Sequence, residues 1–485
     1  MKEFKYYNHL GYHNPYFIKN GEKLLIDPDH QSILLQQENK TLDFAAIVEI
    51  LSTGYAFGDR TLIKEIKKTP WMAKPNNSNN EWEFFEVPKH MEKNITENES
   101  AIHFYQLLEK ELIDYVETHQ HIGVLLTGGM DSRIVAAVLN NLIKSKRLTS
   151  KKVTAYTWGS DDSRDVVYAK RIADLFGWDW KHVNVDTVQM HKNYELIIEN
   201  GCEYTPIHLH AMSKVALEKE LDCVLAGSFG DSVGRGEYSG VKAKNLKSLK
   251  LKISNVAGLL RDDYIELSEQ SIDGDLAYYH KKFPEDKEYQ QNENDLQLHY
   301  MRRMLNPCMN IINKRIPLYQ MFTSPEVFGY IWSINPDFRT DLIYKNLLEK
   351  YSPELLEIPW ARTGLRYPEK EGEPDQYKKK HHDYGQMIRK DFLEIIDRKI
   401  NEHKRIAQEI FNFKSLIQLI KNCRKYPVKG SFTYEEKLFW IAALLDFIHK
   451  NNIKIDLPQN RSNSFINTFK EDIKYKVKYF YKRIK

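Results

Sequence analysis

Apolar and polar positions along the chain switch between a two-residue and a three-to-four-residue period. Short apolar runs bounded by turn residues predict buried strands, and apolar residues at helical spacing after them predict helices. The predicted strands are 122–126, 153–158, 182–185 and 223–226, and the predicted helices include 165–176, 188–199, 207–220 and one that buries Ile134, Val135, Val138 and Leu139. Strands that alternate with helices in this way indicate an α/β protein with a parallel sheet.

The rest of the chain has a different pattern. Residues 300–450 are predicted to be mostly helical, and the run 438–445 is predicted to be a core helix because it is too short to span a membrane. The polar, asparagine-rich stretches 74–80 and 290–295 are predicted loops.

The turn after the first predicted strand reads Thr127-Gly128-Gly129-Met130-Asp131-Ser132. Its glycines leave backbone N–H groups open to an anion, and the next helix directs the positive end of its dipole there. A carboxylate beside phosphate groups is repelled unless a divalent cation lies between them, so Asp131 implies Mg²⁺. Turns of this composition also occur without a ligand, and Thr127 or Ser132 would then cap the helix.

A second glycine-rich turn, 227–236, follows the strand 223–226 and contains Asp231. The carboxyl ends of parallel strands meet at one edge of a sheet, where nucleotides bind. We therefore expect Asp131 and Asp231 to hold one Mg²⁺ from opposite sides. The lysine of kinase-type phosphate loops is absent, which disfavours transfer of a γ-phosphate.

The first turn resembles the Ser-Gly-Gly-x-Asp-Ser loop of the ATP pyrophosphatase (PP-loop) superfamily, with Thr127 in place of the first Ser. Further stretches resemble, in the same order, the synthetase domain of the asparagine synthetase family, which includes β-lactam synthetase and lasso-peptide cyclases. These stretches are 156–159 with Asp165 and Ala169, 224–231, 315–318 and the helix around Lys345. The resemblance covers about residues 100 to 365 and implies a parallel-sheet domain of the adenine nucleotide α-hydrolase type.

The resemblance also implies roles for single residues. Adenine and ribose would lie against Leu125, Trp158 and the backbone of Ala226 and Gly227, and the phosphates would be held by Thr127, Gly128, Gly129 and Ser132. Asp131 and Asp231 match the family's metal-binding aspartates. Lys345 matches a lysine at the reacting centre, where its charge would stabilise the transition state. The alternative for Lys345 is a surface lysine on an exposed helix face.

Ser228 departs from the family pattern, because other members carry a glutamate or a tyrosine at this catalytic position. A serine hydroxyl near its ordinary pKa is a poor general base. Either another group deprotonates the amine that attacks the activated substrate, or this amine binds in its neutral form, or a different nucleophile is used.

The N-terminal region is the second departure. Glutamine-dependent members begin with a catalytic cysteine after the initiator methionine, whereas this chain begins Met1-Lys2-Glu3. Residues 43–72 resemble the end of a glutaminase domain. We therefore expect 1–95 to be a small, β-rich, inactive glutaminase remnant, 96–365 to be the synthetase domain, and 366–485 to be a helical extension with a basic tail.

Composition limits the remaining possibilities. The net charge is +4 and no separate nucleic-acid-binding module is visible, so nucleic acid is not an expected partner. No run approaches the roughly 18 apolar residues of a spanning helix, no secretory signal is evident, and the four cysteines are scattered, which indicates the cytoplasm. The basic, aromatic segment 474–485 is either a solvated tail or an interfacial helix that contacts an anionic membrane.

These observations together predict an ATP- and Mg²⁺-dependent ligase. It would adenylate a small-molecule or peptide carboxylate, release pyrophosphate and pass the acyl group to ammonia or an amine, without using glutamine itself. A separate glutaminase or a carrier is a possible partner. The alternatives are a nucleotide-binding scaffold without activity and a PP-loop enzyme that thiolates or aminates a nucleobase. Glu203, His208, His210, Tyr319, Asp383 and Tyr384 are candidates for an acceptor pocket.

Overall fold

The N-terminal region contains two small antiparallel sheets and two helices. The computed structural model describes residues 8–484 except 22, 77, 79, 150, 369–370, 429–432 and 457–464. Strand β1 (Tyr16–Asn20) pairs with β2 (Lys23–Asp27) and β3 (Lys67–Lys68), helices α1 (His30–Gln36) and α2 (Phe44–Thr53) lie between them in sequence, and β4 (Ala73–Asn76) forms a hairpin with β5 (Glu81–Phe84). The loop predicted at 74–80 is wrong at its start, because Pro75 lies opposite Trp82 in this hairpin.

A five-stranded parallel sheet follows and carries the candidate site. Its first elements are α3 (Glu97–Val116), β6 (His121–Leu125), α4 (Met130–Lys144), β7 (Lys152–Trp158), α5 (Arg164–Phe176), β8 (Asp179–Val183) and α6 (Thr187–Glu199). They are followed by α7 (Met212–Val215), β9 (Cys223–Ala226), α8 (Gly230–Arg235), a two-stranded ribbon of β10 (Glu237–Tyr238) and β11 (Val241–Lys242), and, after further helices, β12 (Leu318–Tyr319). The strand order is β12-β9-β6-β7-β8, and all pairs are parallel. The predicted α/β class is confirmed.

Both faces of this sheet are apolar, as a parallel sheet covered by helices requires. Val124, Ala155 and Leu225 belong to one buried cluster, and their neighbours Leu125, Tyr156 and Val224 belong to another. Successive residues of a strand point to opposite faces, so each strand contributes to both cores. The continuous apolar runs in the sequence arise from this double burial.

Two predicted elements lie differently from their expected positions. Strand β8 begins at Asp179, three residues before the predicted start at 182, because polar residues alternate with half-buried ones on this edge strand. The helix predicted at 207–220 is broken into a 3₁₀ turn, Pro206–Leu209, and the single turn α7. Between them His210 has a φ of 43°, which a continuous right-handed helix excludes.

The C-terminal half is mostly helical, as predicted. Its helices are α9 (Asp262–Lys282), α10 (Glu288–Asp295), α11 (Asn306–Asn313), α12 (Pro325–Trp332), α13 (Leu342–Tyr351), α14 (Tyr384–Met387), α15 (Leu393–Glu402), α16 (Lys404–Ile410), α17 (Phe413–Lys425), α18 (Thr433–Lys450) and α19 (Phe465–Ile484). Wider π-helical turns, Leu296–Leu305 and Ile388–Phe392, adjoin α10 and α14.

Helix α10 corrects the loop predicted at 290–295. Its polar side chains are buried and paired: Asn292 donates to the Leu246 carbonyl at 3.1 Å, and His280 contacts Asp295 at 2.9 Å. Burial with hydrogen-bonded partners makes a polar helix stable, and the local sequence gives no sign of those partners.

The N-terminal region packs into the same core as the C-terminal helices. Residues such as Ile47 and Ile63 share one buried cluster with Trp440 and Leu444 of α18. The π-helical segment also contacts the N-terminal region: Arg302 pairs with Asp59 at 3.1 Å, and Arg303, which pairs with Glu203 at 2.7 Å, donates to the Gly58 carbonyl at 2.6 Å. The division into three domains stays a prediction.

Candidate functional site

The two glycine turns meet at the carboxyl end of the sheet. β6 and β9 are adjacent and in register, with Leu125 opposite Ala226. A Cβ added to Gly227 would lie 2.7 Å from the Ser132 backbone nitrogen, and one added to Gly230 would lie 2.5 Å from the Asp131 Cβ. The two turns therefore touch backbone to backbone, which only glycine permits at these positions.

The first turn is braced from inside. The Thr127 hydroxyl accepts from the Gly129 backbone N–H at 3.0 Å, and the Ser132 hydroxyl accepts from the Thr127 backbone N–H at 3.1 Å. Both hydroxyls thus order the loop, but neither caps α4, whose N-cap residue is Gly129 and which has no side-chain cap. Their predicted contact with phosphates stays a prediction.

A buried arginine that sequence reasoning missed fixes the same turn from behind. Arg133 is fully buried, and its guanidinium donates to the carbonyls of Gly128, Leu355, Ile358 and Pro359 at 2.7–3.2 Å. Burial lowers the pKa of Arg133 to about 10. The segment 355–361 is thereby tied to the turn, and the Ala361 N–H donates to the Gly128 carbonyl at 3.1 Å.

Asp131 and Asp231 lie together, one at the start of α4 and one at the start of α8. Burial and the charge of Asp131 raise the pKa of Asp231, and burial also raises the pKa of Asp131. Two neighbouring, half-buried carboxylates repel, so the pair is stabilised by a cation. Asp131 Oδ1 is buried and has no hydrogen-bond partner among the described residues, so these oxygens fit an oxygen-preferring cation such as Mg²⁺.

Arg235 is the cation that the structure places beside these aspartates. Its Nε lies 3.5 Å from Asp131 Oδ1, and its Nη1 lies 3.0 Å from Asp341 Oδ1. The guanidinium is 7% exposed and lies over the rings of Trp360 and Tyr344. Arg235 follows Asp231 by four residues on α8, a spacing that places both on one helix face and that could have identified it.

The second turn contains backbone strain. Phe229 has a φ of 73°, in the left-handed region, and its side chain is buried in the core. This conformation costs roughly 1–2 kcal/mol for a residue with a side chain. Strain of this kind clusters at functional sites. Ser228, directly before it, is half-buried in the turn.

The predicted adenine-binding residues lie at the carboxyl ends of the strands, next to these turns. Leu125 is buried between β7 and β9, opposite Tyr156 and Ala226. Trp158 ends β7 half-buried, and its ring stacks near His210 with centroids 5.9 Å apart.

Residues 381–384 of the C-terminal extension pack beside the end of β7, where Trp158 lies. The His381 carbonyl accepts from the Ser160 N–H at 2.7 Å, and a Cβ on Gly159 would lie 2.5 Å from the same oxygen. The Tyr384 hydroxyl lies 2.7 Å from His210 Nδ1. Of the acceptor-pocket candidates, His210 and Tyr384 therefore lie here. Glu203 and Tyr319 are buried in pairs with Arg303 and Glu111 elsewhere.

Lys345 lies on α13, the helix that contacts the second turn. Its ammonium pairs with Glu349 of the same helix at 2.6 Å and is 23% exposed. The neighbouring Tyr344 hydroxyl donates to the Gly230 carbonyl at 2.7 Å, which fixes α13 against the turn. The catalytic role of Lys345 stays a prediction, and it requires the side chain to leave Glu349.

A cavity of about 320 Å³ lies beyond the second turn. It is lined by apolar and aromatic residues and by two lysines, Lys247 and Lys252. Among the lining residues, Ser239 and Tyr300 contact each other through their hydroxyls at 3.1 Å. Burial raises the pKa of Tyr300, and the charge of Asp231 adds to that rise.

The chain is 25% identical over 256 residues to a glutamine-hydrolysing asparagine synthetase of Pongo abelii, covering 52% of this chain and 38% of that protein. It is 22% identical to asparagine synthetase 2 of Lotus japonicus, covering 47% and 43%. The chain thus spans about two fifths of the length of these relatives.

Among solved structures, a U34-tRNA thiolase from Methanococcus maripaludis is 15% identical, with a TM-score of 0.23, over 56% of this chain and 84% of that chain. An NMN synthetase from Francisella tularensis is 12% identical, with a TM-score of 0.21, over 45% and 97%. The sequence model of the asparagine synthase family matches residues 103–350, just over half of the chain and the part that contains both glycine turns. The chain belongs to the asparagine synthase family.

Proposed function

We propose that the protein is an ATP-dependent carbon–nitrogen ligase that activates a carboxylate as its acyl-adenylate. The observation that carries this proposal is the meeting of two glycine turns, each with a half-buried aspartate, at the carboxyl end of the parallel sheet. Membership of the asparagine synthase family supports it.

In the first step, a carboxylate oxygen of the substrate attacks the α-phosphorus of ATP, and pyrophosphate leaves. Backbone N–H groups of the first turn and the N-terminus of α4 bind the phosphates. Mg²⁺ held by Asp131 and Asp231 would neutralise the leaving pyrophosphate. Arg235 lies where it would add a second positive charge.

In the second step, an amine or ammonia attacks the acyl carbon, AMP leaves and an amide forms. The nitrogen comes from free ammonia, from a separate glutaminase or from an amine of the substrate itself. Glutaminase chemistry in this chain is disfavoured, because the cysteines Cys202, Cys223, Cys308 and Cys423 are all buried. Burial raises the pKa of Cys223 to about 12, which also disfavours thiolation of a nucleobase.

The cavity beyond the second turn is the proposed site for the carboxylate substrate. Its two lysines favour an anion, and its apolar walls favour a substrate with an apolar part. Its lining residues Tyr238 and Ser239 closely follow the second turn, 227–236, so a carboxylate bound there would lie near the proposed pyrophosphate site.

The test is carboxylate-dependent exchange of labelled pyrophosphate into ATP, with pools of amino acids, uronic acids and peptide acids. We expect exchange with one pool and a loss of about 100-fold or more in Asp131→Asn. Asp337→Asn is the matched control, because Asp337 is 61% exposed and pairs with Lys244 outside the site. Exchange that survives Asp131→Asn would contradict the proposal.

If every pool is silent although ATP binds with ordinary affinity, the protein is a nucleotide-binding scaffold instead. Calorimetric titration of ATP with and without Mg²⁺ distinguishes this outcome from a protein that does not bind nucleotide at all.

A further inference from the structure

Helix α19 exposes an apolar stripe on its outer face. Phe469, Ile473, Val477 and Phe480 are 63%, 45%, 61% and 53% exposed, and Tyr481 is 59% exposed. At about 100° per residue these side chains fall within an arc of about 120° on one side of the helix. Large apolar side chains scattered singly over a surface are ordinary, but a continuous stripe indicates a contact surface.

The inner face of α19 is firmly packed. Tyr475 is buried and donates to the Tyr426 carbonyl at 3.0 Å. Asp472 accepts hydrogen bonds from Asn422 and Gln418 of α17 at 2.8 and 3.1 Å. These contacts fix the rotation of the helix, so its stripe faces away from the protein.

Lysines lie within and beside this stripe. At the same 100° per residue, Lys470 is exposed inside the arc, and Lys474 and Lys478 follow beyond Tyr481. Of the acidic residues, Asp472 is on the inner face, and Glu471 forms an ion pair with Lys474 that offsets the charge of that lysine. The outer face therefore combines an apolar stripe with the positive charge of Lys470 inside it and of Lys478 beside it.

We propose that this face of α19 binds the surface of an anionic lipid membrane. Apolar side chains of an amphipathic helix enter the boundary between headgroups and acyl chains, while its lysines contact anionic headgroups. Each lysine near such a surface contributes about 1 kcal/mol. A lipid surface suits this face better than a protein groove does, because lysines are depleted from protein interfaces.

The helix lies on the surface and does not cross the bilayer. None of the helices in the described part of the chain is both long and apolar enough to span a membrane. The buried inner face of α19 also keeps the helix attached to the protein during binding. The ligase would thus act at the membrane surface.

The experiment is flotation of the full-length protein with two kinds of vesicle, one of phosphatidylglycerol and phosphatidylcholine and one of phosphatidylcholine alone. We expect binding only to the anionic vesicles, with a loss of at least about tenfold when salt rises from about 0.1 M to about 1 M. Binding that is equal on both vesicles, or absent from both, would overturn the proposal.

Two matched substitutions test the surface itself. Val477→Asp places a charge in the stripe, and we expect it to reduce binding about tenfold or more without changing the melting temperature or pyrophosphate exchange. Val188→Asp makes the same change at a valine that is 77% exposed on α6, and we expect it to bind like the unaltered protein. Equal binding by both variants would contradict the assignment to α19.

Two further measurements complete the test. Replacing Lys470 and Lys474 together by Gln removes charge but keeps the stripe, and we expect weaker binding with a smaller salt dependence. Light scattering distinguishes a self-interface: an oligomer that Val477→Asp dissociates would show that a second copy covers this face, which would overturn the membrane proposal.

Discussion

Arg235 occupies the position where the family fold brings two aspartates together. It contacts Asp131 and Asp341 and is almost fully buried. A buried guanidinium competes with a metal ion for the same carboxylate oxygens, and in the presence of ATP it would be free to contact phosphates. Arg235 is thus both a competitor for the metal and a candidate for charge stabilisation.

We therefore expect opposite effects from Arg235→Gln. Without nucleotide, affinity for Mn²⁺ should rise about tenfold, because a positive charge a few Å from the carboxylates is removed. Pyrophosphate exchange should fall about 100-fold, because that charge no longer stabilises the leaving group. Calorimetry of Mn²⁺ and the exchange assay measure the two effects. If Arg235 had only a structural role, its substitution would lower both the affinity for Mn²⁺ and the rate of pyrophosphate exchange.

Arg362→Gln is the control for this substitution. Arg362 lies over the same Trp360 ring and pairs with Glu237 but is 46% exposed. Its loss should change both quantities by no more than about twofold, as for exposed ion pairs.

Substitution of Gly230 tests whether close contact between the two turns is needed for activity. In Gly230→Ala the new Cβ would lie 2.5 Å from the Asp131 Cβ, so the turns must separate. A displacement of about 1 Å at a reacting centre costs roughly 100-fold in rate, and we expect a loss of this size in pyrophosphate exchange.

Gly274→Ala is the matched change outside the site. Gly274 lies within α9, and no atom lies within 4 Å of its added Cβ. Alanine there should stabilise the protein by about 0.5–1 kcal/mol without altering exchange, as measured by chemical denaturation. Equal loss of exchange in both variants would show that the effect at Gly230 is not local.

At the scale of elements, α4 positions the first turn through Arg133. Arg133→Met keeps much of the side-chain volume but leaves the carbonyls of Gly128, Leu355, Ile358 and Pro359 without their donor. We expect a loss of about 2–4 kcal/mol in the free energy of unfolding. The KM for ATP should also rise, because the turn loses its attachment to 355–361.

Arg147→Met is the control for Arg133→Met, because it removes an arginine that does not contact the turn. Arg147 lies just beyond the end of α4, is 49% exposed and pairs with Glu109 of α3. Its substitution should cost less than about 1 kcal/mol. If the two variants unfold at the same denaturant concentration, the proposed role of Arg133 is wrong.

At the scale of the whole molecule, a buried ionic network holds the N-terminal region to the synthetase core. Arg303 donates to Glu203 and to the carbonyls of Gly58 and Arg60. Glu203→Gln would leave a buried guanidinium without its counter-charge, and we expect a loss of about 3–5 kcal/mol in stability. Limited proteolysis within residues 8–66 should accelerate, because this region is what the network holds.

Glu326→Gln is the comparison for this network. Glu326 pairs with Lys110 on the surface, and both side chains are more than half exposed. Its substitution should change stability by less than about 1 kcal/mol. Proteolysis that is equally fast in both variants would contradict a specific role for the buried pair.

Four of the five strands, the position of both glycine turns and the family could be predicted from the sequence, whereas the two-residue strand β12 was not predicted. Strand and helix periods are local, and parallel strands in an α/β order place their carboxyl ends together, so Asp131 and Asp231 could be paired from the sequence. The tertiary structure alone decided what surrounds them. Asp341 and the segment 355–361 come from separate parts of the chain and carry no motif, whereas Arg235 lies only four residues after Asp231. The polar helix α10 and the break at His210 also depend on distant partners, because hydrogen bonds to buried groups form only after folding.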